Sequence, residues 1–200
     1  FTDGQSLGQE VNMAGNKNPF GPNVMTVQEA TNSMAQRRVV RVTPTMDAGT
    51  AYAAADVLFN STEIPNAVLR PGGCSKLQLV ALHNHKDATC DLDIVFTQKQ
   101  VNLGTINDAV GSGSLWTETL SKGAKVLGHM HMDVSDNELD LINSLLHTAA
   151  ITPATTVIGA QQLFLQAEED STSVYFSAID RTGSIDFGAD DLEFIFHIEY

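Results

Sequence analysis

The feature that most constrains this chain is the strict alternation at its C-terminus. In DDLEFIFHIEY (190–200), Leu192, Phe194, Phe196 and Ile198 occupy every second position. A period of two places all four on one face of an extended strand, whereas a helix would scatter them around its circumference. CDLDIVFTQ (90–98) repeats the pattern, with Leu92, Ile94 and Phe96 set against Asp91, Asp93 and Val95. SKLQLVALH (75–83) places Leu77, Leu79 and Ala81 on one face and Val80 and Leu82 on the other. Further strand signals come from RVVRVT (38–43), the apolar end of TAYAAADVLFN (50–60), AKVLGHMHMDV (124–134) and STSVYFSAID (171–180). TTVIGAQQLFLQAEE (155–169) reads as two short strands or one bent at Gly159. Some eight strands separated by turns predict an all-β fold, an antiparallel β-sandwich of jelly-roll type. No alternating strand–helix rhythm of a parallel α/β protein is present, and no internal repeat.

Turn chemistry divides these strands. NHKDAT (84–89) is a polar turn between two strands, which predicts a hairpin of 75–83 with 90–98. Pro71-Gly72-Gly73 is a break. LGTINDAVGSGS (103–114) reads as loop, with Gly111 and Gly113 at its tip. One segment runs against the trend. In SDNELDLINSLLHTAA (135–150), Ser135 and Glu138 have capping-box spacing, and Leu139, Ile142, Leu145 and Leu146 recur at helical intervals. This predicts one short helix.

Residues 1–37 differ from everything after them. They are rich in Gly, Asn, Gln and Pro, hold no sustained period, and scatter their apolar side chains too thinly to build a core. Two regions follow: an extended N-terminal arm (1–37), with a short helix possible over VQEATNSMAQR, and a β-sandwich domain (38–200). A floppy terminus is the plain alternative to an arm ordered by a partner.

Charge excludes some functions. The 24 acidic residues outnumber the 11 basic ones and give a net charge of −13, so phosphate backbones repel the chain and nucleic acid is not an expected partner. Arg37, Arg38 and Arg41 form the one basic cluster. No apolar run approaches the roughly 18–20 residues that span a bilayer, so no membrane partner is expected. The opening FTDGQSLGQEVN is polar and lacks a signal-peptide pattern. Cys74 and Cys90 fit no zinc spacing, and at opposite ends of the expected hairpin they would lie too far apart for a disulfide, so both are expected as free, buried thiols.

Four of the six histidines occur as H-x-H pairs, His83 with His85 and His129 with His131. Residues i and i+2 of a strand share a face, so each pair can present two imidazoles. GAKVLGHMH (123–131) fits the opening G-x5-H-x-H of a cupin metal motif, but Ser135 and Asp136 stand where that motif wants Glu, and its second half is absent. His83 and His85 read as turn residues, and Met130 and Met132 as core. There is no G-x-S-x-G nucleophile elbow, no P-loop lysine and no EF-hand spacing in EEDSTS (168–173) or DFGADD (186–191). The residues therefore assign no catalytic, cofactor-binding or metal site, no cofactor and no enzymatic activity. A cupin-like metal-dependent enzyme using His129 and His131 is the alternative from another class.

Several spaced segments resemble a known family. EIPNAV (63–68), PGG (71–73), DLDIVF (91–96), LGTINDAV (103–110) and KVLG (125–128), with STSVYFSAI and LEFIFHIEY closing the chain, resemble tailed-bacteriophage head decoration, or cement, proteins. The likeness covers most of residues 50–200. It departs at HMHMDVSDNELDLINSLLHTAA (129–150) and leaves residues 1–37 outside. The resemblance implies a virion structural protein on the capsid exterior, assembled in the host bacterial cytoplasm. Its partners would be the major capsid protein and further copies of itself, as a homo-oligomer expected to be a trimer. A tail or fibre-attachment β-domain is the alternative within virions. On this reading the arm contacts capsid or sister subunits through Phe20, Val24 and Met25, with Arg37 and Arg38 meeting acidic surface.

Overall fold

The structure, a computed structural model, describes residues 36–133, 138–150 and 163–200. Among the described residues, ten strands and one short α-helix form an all-β sandwich of two antiparallel sheets. The larger sheet runs β1 (Arg37–Val42), β10 (Leu192–Glu199), β3 (Cys74–Asn84), β7 (Leu145–Ala150), β6 (Glu138–Asp140). Within it, β8 (Leu163–Gln166) pairs with the first residues of β3, on the edge that β7 takes further along. The smaller sheet runs β2 (Val57–Ile64), β9 (Val174–Asp180), β4 (Leu92–Thr97), β5 (Val126–Met132).

Alternation decides which side chains meet between the sheets. Leu192, Phe194, Phe196 and Ile198 of β10 all point inward and are buried, as are Leu92, Ile94 and Phe96 of β4. Phe176 of β9 sits among Phe59 of β2 and Phe194 and Phe196 of β10, with ring centroids 5.2, 5.2 and 4.8 Å away in edge-to-face geometry. Aromatic quadrupoles favour such tilted contacts, so the rings lock the two sheets together beyond what buried area alone provides.

Two elements differ from the sequence reading. The expected hairpin of 75–83 with 90–98 does not form: β3 belongs to the larger sheet and β4 to the smaller, so NHKDAT carries the chain across the sandwich. Asn84 directs that crossing. Its buried side chain accepts from Lys86 N (2.9 Å) and donates to Ala88 O (2.6 Å), turning the backbone away from the β3 direction. Segment 138–150 is not helical but holds β6 and β7, joined through a turn in which Ile142 has a φ of 78° and is 81% exposed. Pairing of β7 with the free edge of β3 satisfies its backbone and buries Leu145 and His147, which outweighs the weak local helical period. Ser135 lies outside the described residues. Among the described residues the α-helix stands elsewhere: α1 (Glu118–Ala124), capped by Thr117, whose side chain accepts from Leu120 N.

The Pro-Gly-Gly break is a tight turn docked on another loop. Gly72 has a φ of +69° and its N–H donates to Glu168 O at 2.8 Å, while Gly73 N donates to Arg70 O at 2.9 Å. Residues 1–35, and with them most of the short helix expected over 27–37, lie outside the described residues; its last residue, Arg37, instead opens β1, and Gln36–Tyr200 is one compact unit.

Candidate functional site

Of the arm residues, Phe20, Val24 and Met25 lie outside the described residues. Arg37 and Arg38 open β1 and are exposed. They border a shallow groove of about 240 Å³ together with Val39, Gln78, Leu79 and His197. Among the described residues β1 pairs with β10 only, and Tyr200 N donates to Gln36 O at 2.8 Å, so the backbone preceding Arg37 is tied to Tyr200. Arg41, further along β1, is committed to Glu193, with Nη1 2.9 Å from Oε2.

The histidine pairs fall on opposite sides of the sandwich. His129 and His131 are exposed on β5, the edge of the smaller sheet. Nδ1 of His131 is 2.7 Å from Oδ1 of Asp93 across the β4–β5 ladder, and Arg181 Nε is 2.5 Å from Oδ2 of the same carboxylate. Burial works to raise the Asp93 pKa, but the hydrogen bonds and charges of His131 and Arg181 outweigh it and hold the carboxyl below its usual range. Met132 is buried as expected and Met130 half-buried.

His83 and His85 do not sit in a hairpin turn. His83 is half-buried on the outer face of β3, directly opposite Glu193 of β10, and its Nε2 is 3.0 Å from Ser144 Oγ. His85 follows just past the strand, with its ring centroid 4.0 Å from that of His83. The structure thus brings together His83, His85 and Glu193, one donor atom from each lying within 4.8 Å of the others. Strand alternation makes the histidine pair legible, but no sequence signal links it to Glu193, which is 108 positions away from His85.

Both cysteines are free. Cys90 is buried, and burial, followed by the charges of Asp180 and Asp91, pushes its thiol up to about 12. A thiol so protonated is no nucleophile at neutral pH. Cys74 was expected to be buried and is exposed instead, because it begins β3 at the rim of the sheet. His147 is a residue that sequence reasoning missed. It points into the sandwich from β7, 3% exposed, and neither ring nitrogen has a hydrogen-bond partner among the described residues.

Among the described residues no helix is long and apolar enough to cross a membrane. No family model matches the chain. No curated protein matches its sequence. Among solved structures, one from Desmodium yellow mottle tymovirus is similar over 89% of this chain and 84% of its own, with 11% identity and a TM-score of 0.25. A superposition that loose establishes neither a common function nor a common ancestor.

Proposed function

We propose that this chain is a virion structural protein, a decoration protein that binds the outside of a phage head and stabilises the shell. The observation that carries the reading is where the segments resembling cement proteins fall. In EIPNAV, Ile64, Ala67 and Val68 are buried; in DLDIVF, Leu92, Ile94 and Phe96 are buried; in LGTINDAV, Leu103 is buried and Gly104 O accepts from Asn60 Nδ2 at 2.7 Å. PGG forms the docked turn described above. These segments build a rigid scaffold, so the likeness is one of body plan, as expected for a module that acts by being bound. On this reading the chain is structural rather than catalytic.

The arm is the capsid-binding element in this proposal. An extended segment covers more of a neighbouring surface than a globular face of equal length, and avidity within an oligomer offsets its ordering entropy. Phe20, Val24 and Met25 anchor it, while Arg37 and Arg38 supply positive charge where it joins the body. The partners are the major capsid protein and sister copies, with a trimer suited to local threefold positions of a shell.

Co-sedimentation with expanded capsids of the cognate phage tests this. Full-length protein is expected to pellet with capsids, and a variant lacking residues 1–35 but keeping Gln36 is expected to stay in the supernatant with an unchanged melting transition. Full-length protein that does not pellet would overturn the decoration role. A truncated form that still pellets would overturn the arm's part in it.

A further inference from the structure

The outer face of the larger sheet carries a constellation that the proposed structural role does not use. Antiparallel register sets Glu193 of β10 directly across from His83 of β3. Their neighbours Leu82, Asn84, Leu192 and Phe194 are fully buried, so alternation turns His83 and Glu193 outward. The main-chain N–H of His85 donates to Asp191 O at 2.7 Å, which extends the β3–β10 pairing one step beyond the ladder. That bond keeps His85 beside His83, ring against ring.

We propose that His83, His85 and Glu193 form a binding site for one divalent transition-metal ion of the Zn²⁺ and Co²⁺ class. Two imidazole nitrogens and one carboxylate oxygen are donors of intermediate softness, matched to these ions rather than to Ca²⁺ or Mg²⁺, which take oxygen shells. Ligand bonds of about 2.0–2.2 Å place donors on a shared ion roughly 3–3.5 Å apart. Donors now within 4.8 Å therefore need to close by at most about 1.3–1.8 Å, to which rotation of the exposed His85 ring contributes. Ser144 Oγ, 3.0 Å from His83 Nε2, fixes the other ring as outer-sphere partners of metal-bound histidines do. Three protein ligands leave positions open for water or for a ligand from a neighbouring molecule.

Arg41 opposes the ion. Its guanidinium engages Oε2 of Glu193, so a cation must share that carboxylate with it. Removing this charge is expected to tighten binding, which a merely adventitious surface histidine would not predict.

The test is titration of chelator-treated, full-length protein with Co²⁺ and Zn²⁺, read by calorimetry and by the visible absorption of bound Co²⁺. One ion per chain is expected. His85→Ala and Glu193→Gln are expected to weaken binding on the order of 100-fold, and Ser144→Ala roughly tenfold. Arg41→Gln should strengthen it, and the double change His129→Ala with His131→Ala should leave it unchanged. His85 is exposed, so its substitution spares the fold, which circular dichroism verifies. Absence of saturable binding by the wild type, or binding that survives His85→Ala and Glu193→Gln, would overturn the site.

Discussion

Nε2 of His147 lies 4.0 Å from Oε2 of Glu138, too far for a hydrogen bond, although the two residues stand opposite each other in the β6–β7 ladder. Among the described residues no group satisfies the buried imidazole, while the carboxylate is more than a quarter exposed and solvated. Burial lowers the His147 pKa, and the charges of Glu138 and Asp91 only partly oppose it. The folded state therefore releases this proton more readily than the unfolded state, which binds more protons below the ordinary histidine value. Stability contributed here is present above that value and is lost as pH falls from about 6.5 towards the lower folded value. Replacing His147 with Leu removes an unsatisfied polar group and is expected to raise stability by about 1 kcal/mol. Urea midpoints between about pH 7 and about pH 5 should fall less steeply for His147→Leu than for the wild type.

Asp93 changes stability in the same direction with pH, but for the opposite reason: the fold favours its charged form, whereas it favours the neutral form of His147. His131 and Arg181 hold its carboxyl below the usual range despite partial burial. The stabilisation is present above the unfolded carboxylate value, near 3.9, and disappears as pH falls through the depressed folded value. In Arg181→Ala the Asp93 carboxyl, followed by NMR, is expected to titrate at higher pH than in the wild type. An unchanged titration would mean that His131 alone sets its charge.

Phe176 joins the two sheets, and its loss should be felt globally. Phe176→Ala removes edge-to-face contacts with Phe59, Phe194 and Phe196 and leaves a cavity that the β-sandwich cannot fill by collapsing. The expected cost is about 3–5 kcal/mol, with Phe176→Leu much milder. Chemical denaturation followed by the near-ultraviolet dichroism of the aromatic cluster measures both.

Strand identity was legible wherever one face is buried and the other wet, as in 90–98 and 190–200, because alternation records that asymmetry directly. Strand partnership was not. Nothing local in NHKDAT distinguishes a hairpin turn from a sheet-crossing loop; the difference lies in the inward-facing Asn84, whose amide organises the crossing. Leu139, Ile142, Leu145 and Leu146 satisfied a helical period by spacing alone, yet in the fold Leu145 is buried while Leu139 and Ile142 are exposed. Conversely, the seven residues of α1 are too short to show a period, and Thr117 ahead of them was the one available signal. The same limit hid one of the three residues of the candidate metal site. His83 and His85 announce themselves as a pair, but Glu193 joins them only through the β3–β10 register.

The Pro-Gly-Gly turn permits a final prediction, because its two glycines are needed for different reasons. Gly72 holds a φ of +69°, where a side chain costs about 1–2 kcal/mol, and its added Cβ would also come to 3.3 Å from Glu169 Cα. Gly73 needs space instead. A Cβ there would lie 2.7 Å from the carbonyl oxygen of Arg70, the same oxygen that accepts the Gly73 N–H, so the turn itself must open. Gly73→Ala is therefore expected to cost on the order of 1–3 kcal/mol. The damage should spread to the docked loop: Glu168 O and Ser171 O accept from Gly72 N, Ala167 N donates to Gly73 O, and the Glu168 carboxylate carries Lys125. Hydrogen exchange of the Gly72 and Ala167 amides should accelerate in Gly73→Ala more than in Pro71→Ala, which leaves both glycines in place. Equal acceleration in the two variants would mean that the turn depends on the proline ring and not on the close approach at Gly73.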